Sequence, residues 1–216
     1  MGRAPGVRNE HYAEKRQELL DASTDYVLRE DVMMPSIRQI AIAAGVSDPT
    51  VKHYFGDRTA LVRDVLANVG ARSEPLREEI RKGKPTIREA IEDYLQLMAT
   101  VPQNSMFVRA NLFALRESLI EPSIFKSYVD LIVEPNIAAL AERLLNSSGG
   151  PRNFANARAA AGLITSNLAK ISLRHIMLGD SDQVPMAIEE RVRLTMNWIC
   201  NGFLNDPDAM GLQRAE

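Results

Sequence analysis

Residues 36–61 read SIRQIAIAAGVSDPTVKHYFGDRTAL, and this stretch decides the fold. Ile37, Ile40, Ala41 and Ala44 fall at i, i+3, i+4 and i+7, which makes one apolar stripe on a short helix, with Ser36 placed as its N-cap. Gly45 follows, where a residue without a Cβ takes positive φ and ends the helix, and Val46 supplies an apolar plug. Ser47 or Asp48 then caps a second helix, with Pro49 in its first turn and Val51 and Phe55 on its buried side. Capping is the role favoured for Asp48, over pairing with a base amine. The order is that of a helix-turn-helix.

Thr50, Lys52, His53 and Tyr54 are left for the flanks and outer face of the second helix. Two readings of that face stay open from spacing alone: the solvated side of an ordinary helical hairpin, or a surface whose hydroxyls reach base edges while longer side chains reach phosphates. The flanking residues bear on the choice. Leu19, Leu20, Ala22, Ser23, Tyr26 and Val27 form the inward side of a helix over 11–28, and Thr59, Leu61, Val62, Val65 and Leu66 open another after the motif.

With these helices in place, the N-terminal third resembles the TetR family of transcriptional regulators. The resemblance rests on Ile40 with Ala41, Ala44 through Ser47, and Tyr54 with Phe55. It implies an all-α fold: an N-terminal three-helix helix-turn-helix DNA-binding domain over 10–66, then a helical-bundle ligand-binding and dimerisation domain over 67–216. It further implies a ligand-responsive repressor that binds a pseudo-palindromic operator in double-stranded DNA as a homodimer and is released by a small-molecule effector. Carried over by position, Ser36 contacts a phosphate, Ser47, Pro49 and Thr50 lie nearest the bases, Lys52, His53 and Tyr54 grip the backbone, and Arg58 holds a flanking phosphate. Packing against the first helix is the competing role for His53 and Tyr54. Lys52 stands where the family usually has a tyrosine, and the family's glycine after the first helix is missing near Glu30 and Asp31.

The net charge of −2 over 216 residues excludes a generic polyanion binder, so any DNA contact must be local. Arg3, Arg8, Lys15, Arg16, Arg38, Lys52 and Arg58 are the residues available for one basic face, and residues 1–9 read as a flexible arm. The opening residues are polar and no apolar run approaches bilayer length, which leads to the expectation of a cytoplasmic protein with no membrane contact. One cysteine, Cys200, leaves no internal disulfide and no cysteine metal cluster.

Beyond residue 67 the pattern predicts helices over 86–99, 105–119, 123–145, 153–177 and 185–204, with a hinge-like break at 82–85. The segment 106–115 is apolar on nearly every face and is expected inside the body. Arg109 and Arg116 interrupt it at i and i+7, so they either pair with internal carboxylates such as Glu117 and Glu121 or orient an effector in a pocket with Met98, Phe107 and Phe113. Such an effector would be largely apolar. The small residues from Ala155 to Gly162 and the apolar stripe Val192, Met196, Ile199 and Phe203 suggest close helix approach, with Trp198 on a second face as an interface anchor. Ala161, Leu168, His175, Met196, Trp198 and Phe203 are accordingly the expected dimer interface.

No phosphate-cradling glycine loop, metal-ligand spacing or nucleophile with a base partner is present in the sequence, and His11, His53 and His175 are scattered. No catalytic residue, metal or cofactor is therefore expected. A helical protein-binding module that keeps the helix-turn-helix as scaffold is the alternative to a regulator.

Overall fold

The computed structural model describes residues 5–29, 31–102 and 105–178, together with residue 194. All regular elements among them are helical. They fall into two compact units, one built from residues 1–73 and 106–132, the other from 74–105 and 133–216.

The first unit opens with α1 (Pro5–Val27), so the expected arm loses residues 5–9 to a helix that starts on proline, whose fixed φ suits a first turn. Helix α2 (Ile37–Ala43) carries a complete capping box between Ser36 and Gln39. Helix α3 (Asp48–Phe55) is capped by Ser47, whose hydroxyl accepts from the Thr50 amide. Asp48 is therefore not the cap; it is the first helical residue, where its charge complements the helix dipole. Gly45 takes φ 68 in the turn between these helices, and Gly56 takes φ 76 after α3, the left-handed values that favour glycine. Helix α4 (Arg58–Arg72) is capped by Asp57 and runs six residues past the expected domain limit at 66.

The core of this unit joins Leu19, Leu20 and Val27 of α1 to Ile40, Ala41, Val51, Phe55 and the inner face of α4. Ser23 and Thr24 are also buried, each hydroxyl donating to the carbonyl four residues back, and Asn68 of α4 donates to Thr24 and Asp21. Helices α7 (Met106–Ile120) and α8 (Ser123–Tyr128) complete it, both packing on α4. The division therefore does not follow one cut after residue 66, because apolar residues 110, 113, 114 and 124 are buried with the N-terminal helices' unit. Beyond α8, a π-helical turn (Val129–Val133) brings the Leu131 carbonyl so close to α4 that a Cβ on Gly70 would stand 2.7 Å from its oxygen.

In the second unit, α9 (Glu134–Leu145) is central, packed by α5 (Glu74–Arg81), α6 (Ile87–Thr100) and α10 (Phe154–Leu178). The helix expected over 123–145 is thus interrupted by the π-helical turn, and α5 is an element the sequence pattern did not separate. Ile91, Leu95, Leu140, Leu144, Ala157, Ala161 and Ile164 lie in its core. The 82–85 break is pinned rather than free: the Lys84 amide donates to Ser147 Oγ, and Pro85 and Ile87 exchange backbone bonds with Ser148. The helix expected over 185–204 lies outside the described residues.

Candidate nucleic-acid interface

Helix α3 presents the outward face that the sequence predicts. Val51 and Phe55 are buried against the unit, while Ser47, Pro49, Lys52 and His53 are exposed and Thr50 and Tyr54 are half-buried. The Ser47 and Thr50 hydroxyls lie 2.9 Å apart at the helix N-terminus, donors and acceptors of the size that fits base edges. Ser36 and Arg38 are exposed at the start of α2. Neither Arg38 nor Lys52 is held by an ion pair among the described residues, which leaves both cations available to a phosphate.

Tyr12 of α1 joins this face without having been singled out by sequence reasoning. Its ring lies 4.8 Å from Tyr54 and 6.0 Å, edge-on, from His53, and His53 and Tyr54 are 5.1 Å apart. The two roles weighed for His53 and Tyr54 therefore coexist, since both rings pack against the first helix while His53 stays exposed. The signal was present: Tyr12, Arg16, Leu19 and Ser23 recur at helical spacing on one side of α1.

The basic face is smaller than the count of cations suggests. Arg16 donates to Asp64 at 2.6 Å with its guanidinium 5.1 Å from the Phe55 ring centre, and Lys15 pairs with Glu18. Arg58 departs most from expectation: its two terminal nitrogens grip the Glu117 carboxylate at 2.6 and 2.9 Å, and its Nε donates to the Pro35 carbonyl. Its side chain, still 31% exposed, is paired within the unit. Arg3 lies outside the described residues.

Of the expected effector residues, Met98 belongs to the second unit and Phe107, Arg109, Phe113 and Arg116 to the first. Phe113 is a core residue of the first unit, and Arg116 lies with its guanidinium 5.5 Å from that ring, donating to the Val32 carbonyl at 3.1 Å. Burial pushes the Arg116 guanidinium below the usual arginine range, with Glu117 opposing. Arg109 lies close enough to Asp31 to help hold its carboxyl down, after the larger effect of Arg29. Phe107 is half-buried on α7, and Met98 packs on the core of the second unit. Ala110, Phe113, Ala114 and Glu117 form the buried side of α7. A groove of about 600 Å³ does open in the first unit, lined by Ala22 and Tyr26 of α1, Arg29 just beyond it, and Gln39 and Ile42 of α2, none of them an expected effector residue.

Ala157, Ala160 and Ala161 are buried in their own unit and Leu168 packs on that core, so this side of the small-residue stripe faces α9 of the same chain, while Ala155 and Ala159 are exposed. The outward line of α10 runs through Ala155, Ala159, Leu163 and Leu173, with exposed Ser166 and Lys170 between the two leucines. His175 lies in α10 with its side chain outside the described set, and Met196, Trp198 and Phe203 are outside the described residues. No described helix is long and apolar enough to cross a membrane, and no described cluster of three or more His, Cys, Asp or Glu side chains is placed to hold a metal ion.

A solved structure from Mesorhizobium loti, described as a TetR-family transcriptional regulator, superposes with a TM-score of 0.62 at 18% identity, over 90% of this chain and 96% of that one. A tetR-family transcriptional regulator from Streptomyces coelicolor superposes at 0.57 and 18%, over 92% and 86%. The chain has the TetR fold. The multidrug binding protein EbrR, solved with imidazole, shares this TetR fold at a TM-score of 0.59 and 18% identity, over 86% of this chain and 94% of that one. In sequence, two uncharacterized HTH-type transcriptional regulators from Mycobacterium tuberculosis strains are 25% identical over 154 residues, 65% of this chain. The match spans 59% of the length of those relatives. No protein-family model matches the chain.

Proposed function

We propose that this chain is a TetR-type transcriptional regulator that binds a pseudo-palindromic operator as a homodimer. The observation that carries the reading is the outer face of α3, where capped hydroxyls at the N-terminus adjoin exposed Lys52 and His53 above a buried Val51 and Phe55. Ser36, Arg38, Ser47, Pro49, Thr50, Lys52, His53 and Tyr54 are its DNA-facing residues, with Tyr12 added and Arg58 withdrawn. One such helix reads too few base pairs for useful discrimination, whereas two copies about 34 to 36 Å apart read two half-sites.

The exposed line Ala155, Ala159, Leu163 and Leu173 on α10 supports a second copy as partner, since small and aliphatic side chains along one face let helices approach closely. Release by a small apolar effector is the regulatory part of the proposal, consistent with the name of the multidrug binding protein that shares the fold. Repression follows from that: an effector that favours a different spacing of the two heads weakens operator binding by linkage.

Titration of DNA from upstream of the coding region, across salt concentrations, tests the reading. Affinity should fall steeply with salt. Lys52→Ala should weaken operator and random DNA alike and reduce the slope of log K against log salt by about 0.9, the release of one phosphate's counterion. A dimer whose affinity for every DNA is negligible at low salt would point to the scaffold-only binding module instead.

A further inference from the structure

Glu117 of α7 is 1% exposed, and a carboxylate so buried is costly unless it is paired. Its Oε2 and Oε1 accept from Arg58 at 2.6 and 2.9 Å, and the Arg116 Nη2 stands 3.8 Å from Oε1. Arg58 thus holds the carboxylate by two hydrogen bonds, and Arg116 adds its charge at ion-pair distance without a hydrogen bond to it. Each also reaches a backbone carbonyl: Arg58 Nε donates to Pro35 at 3.2 Å, and Arg116 Nη1 donates to Val32 at 3.1 Å.

Those two carbonyls bound the non-helical strap 32–35, which ends at Ser36, the N-cap of α2. Val32 and Pro35 are buried while Met33 and Met34 between them are exposed, so the strap is held at its two ends. Arg58 is also the first residue of α4. A single carboxylate therefore sits where α7, the start of α4 and the entry to the helix-turn-helix meet, all within the first unit.

We propose that Glu117 is a positioning residue for DNA recognition: it fixes Arg58 and Arg116 on the 32–35 strap and so sets the angle at which α2 and α3 are presented. This rests on the reading of α3 as the DNA-facing helix. Arg58 in this role is a brace, not a phosphate contact. Letting its guanidinium go to a phosphate would strand the buried Glu117 charge and release the Pro35 carbonyl together.

The test uses the full chain, with Glu117→Gln, Glu117→Asp, Arg58→Gln and Arg58→Lys measured beside Lys52→Ala. Glu117→Gln should weaken operator binding about tenfold, speed amide hydrogen exchange at residues 36–40 of the free protein, and leave the salt slope unchanged. Arg58→Gln should do the same. The conservative Glu117→Asp and Arg58→Lys should recover part of both losses and keep the measurement usable if a stronger variant unfolds. Tighter DNA binding by Glu117→Gln would mean that the carboxylate withholds Arg58 from phosphate, and would overturn the proposal. A salt slope reduced by about 0.9 in Arg58→Gln, as for a phosphate contact, would overturn it as well, and so would unchanged exchange with unchanged affinity. If the unaltered protein binds no DNA at any salt, the regulator reading fails, and the exchange comparison alone then decides whether Glu117 holds the strap.

Discussion

Asp93→Asn is expected to cost more stability than Arg143→Met, although arginine is the more buried partner. The Arg143 side chain is 1% exposed and donates to the Ala90 carbonyl at 2.8 Å, to the Ile80 carbonyl at 3.1 Å and to Asp93, tying α9 to α5 and α6. Asp93 is 44% exposed and also pairs with Lys84 at 2.9 Å. Removing the aspartate charge leaves a buried guanidinium without its counter-ion, a loss of about 3 kcal/mol, at the low end for broken buried pairs because solvent reaches Asp93. Methionine in place of Arg143 keeps an unbranched chain of similar length and strands no charge, since Lys84 and water remain on Asp93. Its cost is about 1 to 2 kcal/mol for the lost bonds to carbonyls.

Denaturant unfolding of the two variants checks that order, and acid titration checks its cause. The Asp93 carboxyl is held below the usual range first by the hydrogen bond from Lys84, with burial opposing and Arg143 adding to it. A carboxylate with a lowered folded pKa contributes its stability fully above the ordinary value near 4 and loses it as pH falls through the lowered one. Asp93→Asn should therefore flatten the acid limb of the stability profile. Equal losses for both variants at neutral pH would contradict this account.

The second large effect is expected on assembly. Leu163 is 63% exposed on the outward line of α10, so Leu163→Asp should change the intrinsic stability of the single chain by no more than the roughly 0.5 kcal/mol typical of surface substitutions, any larger fall in melting temperature coming from loss of the partner. If that line meets a second copy, a charge at its centre is desolvated against an identical charge, and sedimentation should report monomer where the unaltered protein gives dimer. Operator affinity should collapse with it, while the weak affinity for random DNA should fall far less, because each head keeps its own phosphate contacts. A dimer that survives Leu163→Asp intact would place the interface elsewhere.

What sequence reading reached and what it missed divide by range. Caps, turns and buried faces from Ser36 to Phe55 follow from neighbours within one helical turn, and all but the role of Asp48 appear as expected. The outward Lys52 and His53 follow from the same periodicity. The partner of Arg58 does not, because Glu117 is far along the chain and nothing local distinguishes a paired cation from a free one. The small-residue stripe on α10 is ambiguous for a related reason: composition says that a helix can approach closely, not which helix, and α9 of the same unit takes Ala157, Ala160 and Ala161 while Ala155 and Ala159 stay exposed. Likewise, α7 is apolar on nearly every face but buries only the side of Ala110, Phe113, Ala114 and Glu117, and only long-range packing assigns it to the unit of α1 through α4.

That assignment bears on how such proteins can be recombined. A graft that transplants residues 1–73 alone carries Arg58 and the 32–35 strap without Glu117, and uncovers the side of α4 on which α7 and α8 rest. The first unit is discontinuous in sequence, two segments that a chimera must donate together, and one made by exchanging only the N-terminal segment inherits a mismatched partner for Arg58 from its host.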